Sequence, residues 1–157
     1  LYGDLILQHF RNPRNREPVA DAQVEAQEFN PFCGDRVELQ IKLNAEGRVC
    51  EASALSEGCS IIQASASMMA GESEERPLAE IDQLSRDVQE MLTHEEFDVD
   101  SVEIGDLESL QGVAKFPVRI KCALLAWKVL DMALAEARGE TALTDNSDIP
   151  IRIASTR

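Results

Sequence analysis

One stretch constrains the fold more than any other. From Arg36 to Leu43 the chain alternates strictly, with Val37, Leu39, Ile41 and Leu43 on one side and Arg36, Glu38, Gln40 and Lys42 on the other. Successive side chains of a strand point to opposite faces, so this pattern predicts a half-buried strand. Asn44-Ala45-Glu46-Gly47 supplies turn residues, and Arg48 to Glu57 returns as a second strand with the small Ala52 and Ala54. Val24 to Phe29 reads as an edge strand. Together they predict a three-stranded antiparallel sheet with one face covered and one partly wet.

The cover must come from helices. Tyr2 to Phe10 carries Leu5, Ile6 and Phe10 on one side, and ends at the polar, proline-broken run from Arg11 to Arg16. Gly58-Cys59-Ser60 marks a strand-to-helix junction, with Ser60 as N-cap, a helix over Ile61 to Ala70 and Gly71 as its stop. Pro77 opens a helix with Leu78, Ile81, Leu84, Val88 and Leu92 at helical spacing. His94 to Asp106 is acidic and irregular, Asp106 caps a short turn through Leu110, and Gly112 to Phe116 crosses back. Pro117 starts the longest helix, Val118 to Arg138, with Val118, Leu125, Val129 and Met132 as its stripe and Gly139 as its end. Aromatic residues make up only 4%, so the core is aliphatic and alanine-rich. Strands first and helices after predict an α+β fold with helices on one sheet face. A single domain spans 1–140, and 141–157 is a polar tail, loose or weakly docked, with an apolar patch at Ile149, Ile151 and Ile153.

The net charge of −14 opposes nucleic acid and anionic membranes as partners, and suits a partner with a basic patch. No apolar stretch approaches the length of a membrane span. No basic leader with an apolar segment opens the chain, which favours a cytoplasmic protein with reduced thiols over disulfides. The chain starts at Leu1 rather than Met, so its natural beginning is left open.

Four cysteines then need an explanation: Cys33, Cys50, Cys59 and Cys122, with no CxxC pair among them. Reduced cysteines serve as buried small hydrophobes, metal ligands or nucleophiles. Three of the four sit at element ends: Cys33 in a turn before a strand, Cys59 at a helix start, Cys122 in the second turn of another helix. Asp35 follows Cys33 across Gly34. Three sulfurs and one oxygen match the ligand count and types zinc accepts in a tetrahedron. Lys121, Arg119 and Arg36 are placed to offset the excess negative charge. The spacing by itself leaves a core role open for each thiol. Cys50 alternates within a strand and reads as a core or surface thiol. His9 reads as packed or capped, and His94 has no assigned role. Trp127 and Met68-Met69 read as core, the acidic run Glu72 to Glu75 as solvated surface, and Gly34 as a turn residue.

Three motifs add a resemblance: Asn30-Pro31-Phe32-Cys33-Gly34-Asp35, then Gly58-Cys59-Ser60-Ile61-Ile62-Gln63-Ala64-Ser65, then Phe116-Pro117-Val118-Arg119-Ile120-Lys121-Cys122-Ala123. With the opening Leu5 to Asn15, they resemble the IscU/SufU (NifU N-terminal-like) iron–sulfur cluster assembly family over roughly residues 1–138. Lys121, where scaffold members carry His before the third cysteine, and the extra segment around Gly105 to Leu110 resemble the SufU branch. The resemblance implies a SufE/NifU-like fold and zinc held by Cys33, Asp35, Cys59 and Cys122. It also implies that Cys33 accepts persulfide sulfur from a SufS-type, pyridoxal-phosphate cysteine desulfurase. The sulfur would pass on to a SufBCD-type scaffold for cluster assembly. In that role Cys33 is the ligand that leaves zinc, Cys59 and Cys122 are permanent, and Asp35 tunes charge and lability. The alternative within the family is a scaffold on which the cluster itself is built. A third reading is a zinc module that only docks on the desulfurase.

Overall fold

The computed structural model describes residues 2–30, 34–94, 96–139 and 151–154. Four α-helices occur among them: α1 (Tyr2–Arg11), α2 (Ser60–Ser73), α3 (Leu78–Thr93) and α4 (Pro117–Ala137). The strands are β1 (Val24–Phe29), β2 (Arg36–Leu43), β3 (Val49–Glu57) and β4 (Ile151–Ala154). They form one antiparallel sheet in the order β3-β2-β1-β4. The α+β class and the antiparallel β1–β3 sheet follow the sequence reading. The sheet has one strand more than predicted, because a segment read as polar tail pairs with β1, Ile153 opposite Ala26.

The alternation of β2 works as its pattern demands: Val37, Leu39 and Ile41 are buried while Arg36, Glu38, Gln40 and Lys42 stay half-buried. Burying a side chain such as Leu39 contributes roughly 1.5–3 kcal/mol. Ala52 and Ala54 of β3 lie opposite Ile41 and Leu39, and their small size lets α2 approach the sheet. The turn between the strands uses Gly47 at φ +80°, a conformation that favours glycine. The outer edge of β3 is covered rather than open. Its Ala54 N–H donates to the Asn15 carbonyl, and its Ala52 N–H to the Glu74 carboxylate. Edge amides so occupied cannot template another strand. Glu74 therefore has a structural bond where a merely solvated acidic run was expected.

Helices α2 and α4 cover the sheet, α1 packs on α2, and α3 packs on α4. Ile62, Met68, Met69, Val88, Leu92, Trp127 and Leu130 are all essentially inaccessible. Expectations for three helical segments are corrected. Cys59, not Ser60, is the N-cap of α2, and the helix runs through Gly71 to Ser73. A glycine inside a helix costs on the order of 1 kcal/mol, and here the helix continues past it with Ala70 and Ser73 buried and the Ser73 hydroxyl bonded to the Met69 carbonyl. The segment Gly105–Lys115 is a continuous 3₁₀ run with Ile104 at its N-cap, so Asp106 is not the cap. Val118 does not join the buried stripe of α4 but is 77% exposed in its first turn. Met132 of that stripe is only half-buried, whereas Leu125 and Val129 are buried as expected.

Candidate functional site

Strand register assembles the site. Arg36 pairs with Glu57, so Asp35, just before β2, sits beside Gly58, just after β3. The turn that delivers Asp35 is closed by two backbone bonds of 2.8 Å, from the Asn30 N–H to the Asp35 carbonyl and from the Gly34 N–H to the Asn30 carbonyl. Gly34 occupies φ +79°, which explains its identity as a turn residue. Gly58 is demanded by contact as well as conformation. Its φ is +140°, and a Cβ there would lie 2.4 Å from Asp35 Oδ1 and 2.8 Å from Ile62 Cγ2. The missing side chain is the space into which the Asp35 carboxylate fits, and Asp35 is buried.

Cys59 follows as the N-cap of α2, with no side-chain capping bond, so its thiol is not spent on the helix end. Cys122, 87 residues from Asp35 along the chain, reaches back from the second turn of α4. Its Sγ–H points to Asp35 Oδ2 at 3.7 Å, and the Cys59 thiol borders it. Burial pushes the Cys122 thiol up to about 12, and the adjoining Cys59 and Asp35 push in the same direction. No cation appears among these influences. Arg36 leans instead toward Glu38 at 3.4 Å and Glu57 at 3.9 Å, and Arg119 and Lys121 are exposed.

Of the four sequence-predicted ligands, the structure brings Asp35, Cys59 and Cys122 together, while Cys33 lies outside the described residues. Among the described residues no three His, Cys, Asp or Glu side chains stand close enough together to hold a metal ion. The donors present nonetheless fit a soft divalent ion. Bond lengths of about 2.3 Å to sulfur and about 2.1 Å to oxygen at tetrahedral angles separate two zinc ligands by roughly 3.6 Å. The observed Cys122–Asp35 separation is 3.7 Å. A cation beside the Cys122 thiol would relieve the opposition to its ionisation.

Next to this corner lies an open apolar groove of about 740 Å³ lined by Ile6, Ile61, Val113, Phe116, Pro117 and Val118. Phe116 is 60% exposed. Sequence reasoning missed this surface because it assigned Val118 to the core. The remaining candidates resolve as structure. Buried His9 shares a 2.8 Å hydrogen bond between Nδ1 and Ser67 Oγ, and its Nε2 faces Asp106 Oδ2 at 3.6 Å. Cys50 is exposed, with its thiol donating to the Lys42 carbonyl. His94 is exposed, and its ring Nδ1 lies against Thr93 Oγ1 and the Glu90 carbonyl at the end of α3. Trp127, Met68 and Met69 are core.

Comparison with known proteins identifies the family. The family model of the NifU-like N-terminal domain matches residues 1–123. The chain is 42% identical over 139 residues to the zinc-dependent sulfurtransferase SufU of Bacillus subtilis, covering 88% of this chain and 92% of that protein. It is 36% identical over 151 residues to the iron–sulfur cluster assembly scaffold protein IscU of Streptococcus pyogenes, covering 94% and 91%. A solved structure described as a putative iron–sulfur cluster assembly scaffold protein for the SUF system, from Fervidobacterium islandicum, superposes with a TM-score of 0.75 at 25% identity, over 83% of this chain and 94% of that one. A fold of helices on an antiparallel sheet, the thiol–carboxylate corner and these likenesses agree: the chain belongs to the NifU-like N-terminal domain family, on the SufU side of its IscU/SufU members.

Proposed function

We propose that this protein is a zinc-dependent sulfur-transfer protein acting in iron–sulfur cluster assembly. It takes persulfide sulfur from a SufS-type cysteine desulfurase on Cys33 and passes it to a SufBCD-type scaffold. The observation that carries the reading is that Cys122 meets Asp35 at 3.7 Å, close to the separation of two zinc ligands, with the Cys59 thiol beside it. Cys33 and Asp35 flank Gly34 in the sequence, so the proposed sulfur acceptor is two residues from the carboxylate. The name of the Bacillus subtilis relative supports both the metal and the activity.

When bound, zinc would hold the thiols deprotonated at neutral pH and damp their nucleophilicity. The chain's own groups do the rest. Asp35 offers a hard oxygen beside soft sulfurs, and Cys59 and Cys122, anchored on α2 and α4, are the fixed ligands. The Cys33 thiolate attacks the outer sulfur of the donor's persulfide. A bond forms between the Cys33 sulfur and that sulfur, the donor's S–S bond breaks, and the donor cysteine departs as thiolate, with no net oxidation. The reading assigns the protein to the cytoplasm, where thiols stay reduced. Among the described residues no helix is long and apolar enough to cross a membrane.

The scaffold reading draws on the IscU relative, since the same thiolates suit iron. Lys121 in place of the scaffold's His and the Gly105–Lys115 segment favour transfer. Metal analysis combined with desulfurase turnover separates the two. Transfer predicts a colourless protein with stoichiometric zinc that stimulates cysteine turnover, an effect lost in Cys33→Ser with docking retained. A coloured protein carrying a cluster, with no stimulation, would reject it.

A further inference from the structure

Two of the thiols stand on different helices, and something must set their separation. Near the site a buried hydroxyl ties α2 to α4 within their packed contact. Ser65 Oγ–H donates to the Ala123 carbonyl at 2.9 Å and accepts from Trp127 Nε1–H at 3.0 Å. All three residues are fully buried. Ala123 and Trp127 stand one turn apart on α4, so its carbonyl and indole N–H form a fork that a hydroxyl fits as donor and acceptor at once. A carbonyl is acceptor-only and an indole N–H is donor-only, so the direction of both bonds is determined. Ala123 adjoins Cys122, and Ser65 lies within two turns of Cys59 on a helix whose next buried residue is Ala66.

We infer that Ser65 and Trp127 are positioning residues that fix the separation of Cys59 and Cys122 by locking α2 to the second turn of α4. The inference rests on the reading of those thiols as metal ligands. Outer partners that orient metal ligands typically contribute roughly 10- to 100-fold in metal affinity. Ser85 provides a control for general stability. It is equally buried and ties α3 to α4 through a 2.7 Å bond to Asp131, nine residues beyond Cys122.

The test uses the full chain in a Cys33→Ser, Cys50→Ser background, which leaves Cys59 and Cys122 as the only thiols. A short bifunctional thiol crosslinker reads their separation in chelator-treated protein. Cobalt(II) titration in the otherwise native chain reads affinity and the ligand-field spectrum. Ser65→Ala is expected to slow crosslinking, weaken cobalt binding roughly 10-fold or more and shift its spectrum, whereas Ser85→Ala changes neither. Trp127→Phe, which keeps a ring and removes the N–H, gives a smaller change in the same direction and serves if Ser65→Ala does not fold. Ser65→Ala behaving like Ser85→Ala in both readouts overturns the inference. Absence of cobalt binding by the parent chain, with the crosslinking difference intact, rejects the metal reading and supports the positioning one.

Discussion

Gly58→Ala perturbs the site through a single methyl group. Two costs follow from the structure. The backbone stands at φ +140°, where an L side chain is strained by roughly 1–3 kcal/mol. The new Cβ would sit 2.4 Å from Asp35 Oδ1 and 2.8 Å from Ile62 Cγ2, and overpacking of this kind costs about 1–3 kcal/mol. Ile62 is fully buried and cannot retreat, so the Asp35 carboxylate must move. The sum is roughly 2–6 kcal/mol, which lowers Tm by several degrees or more in a chain of this size. Moving Asp35 also breaks its 3.7 Å approach to Cys122, so metal affinity falls with stability. Urea denaturation and chelator competition on the same preparation measure both. Gly34→Ala isolates the conformational part, because its φ is +79° but nothing lies within 4 Å of its Cβ. Gly112→Ala, with open space and no positive φ, is the neutral reference. The reasoning is refuted if Gly58→Ala matches Gly112→Ala in stability and in metal affinity.

Three further outcomes are expected. Burial, with Arg14 nearby, lowers the His9 pKa against the opposing pull of Asp106 and Glu72, so the fold favours neutral imidazole. Stability is then full above the ordinary value of 6.5 and is lost as pH falls through it; urea midpoints across that range should show a slope that His9→Gln flattens. Glu28 is buried on β1, neither oxygen has a hydrogen-bond partner among the described residues, and burial raises its pKa against the pull of Lys128. The folded state therefore holds its proton longer, and stability declines as pH rises above the ordinary 4.5; Glu28→Gln should remove that decline and raise the midpoint at neutral pH. Cys50→Ser, at an exposed position, should shift stability by no more than about 0.5 kcal/mol and leave metal affinity unchanged, and a larger effect on either would assign Cys50 a role it lacks in this account.

What could be read from the chain alone divides along the range of the interactions. The β2–β3 hairpin, α1, α3 and the end of α4 at Gly139 depend on period, turn chemistry and capping within a few residues, and they stand where those signals put them. Elements decided by distant partners were not legible. The alternating isoleucines at 151 and 153 sit in a polar setting, and their strand forms only because β1, over 120 residues earlier, offers an edge. Gly71 looks like a helix stop until packing on both sides carries α2 past it. Val118 fits the stripe of α4 by spacing, yet the first turn overhangs the groove and leaves it exposed. The same holds for the candidate site. Residue types suggested a soft-metal set, but the separations between the cysteines carried no specificity, and motif resemblance alone joined them. The physical reason for the convergence of Asp35 with Cys59 is the register Arg36 to Glu57, and for Cys122 it is the packing of α4 against α2.

X-ray absorption at the zinc edge of the purified full chain addresses the central claim most directly. The account predicts stoichiometric zinc with three sulfur neighbours and one light oxygen neighbour, reduced by one sulfur in either Cys59→Ser or Cys122→Ser. A zinc shell without sulfur, or one unchanged by both substitutions, would contradict it.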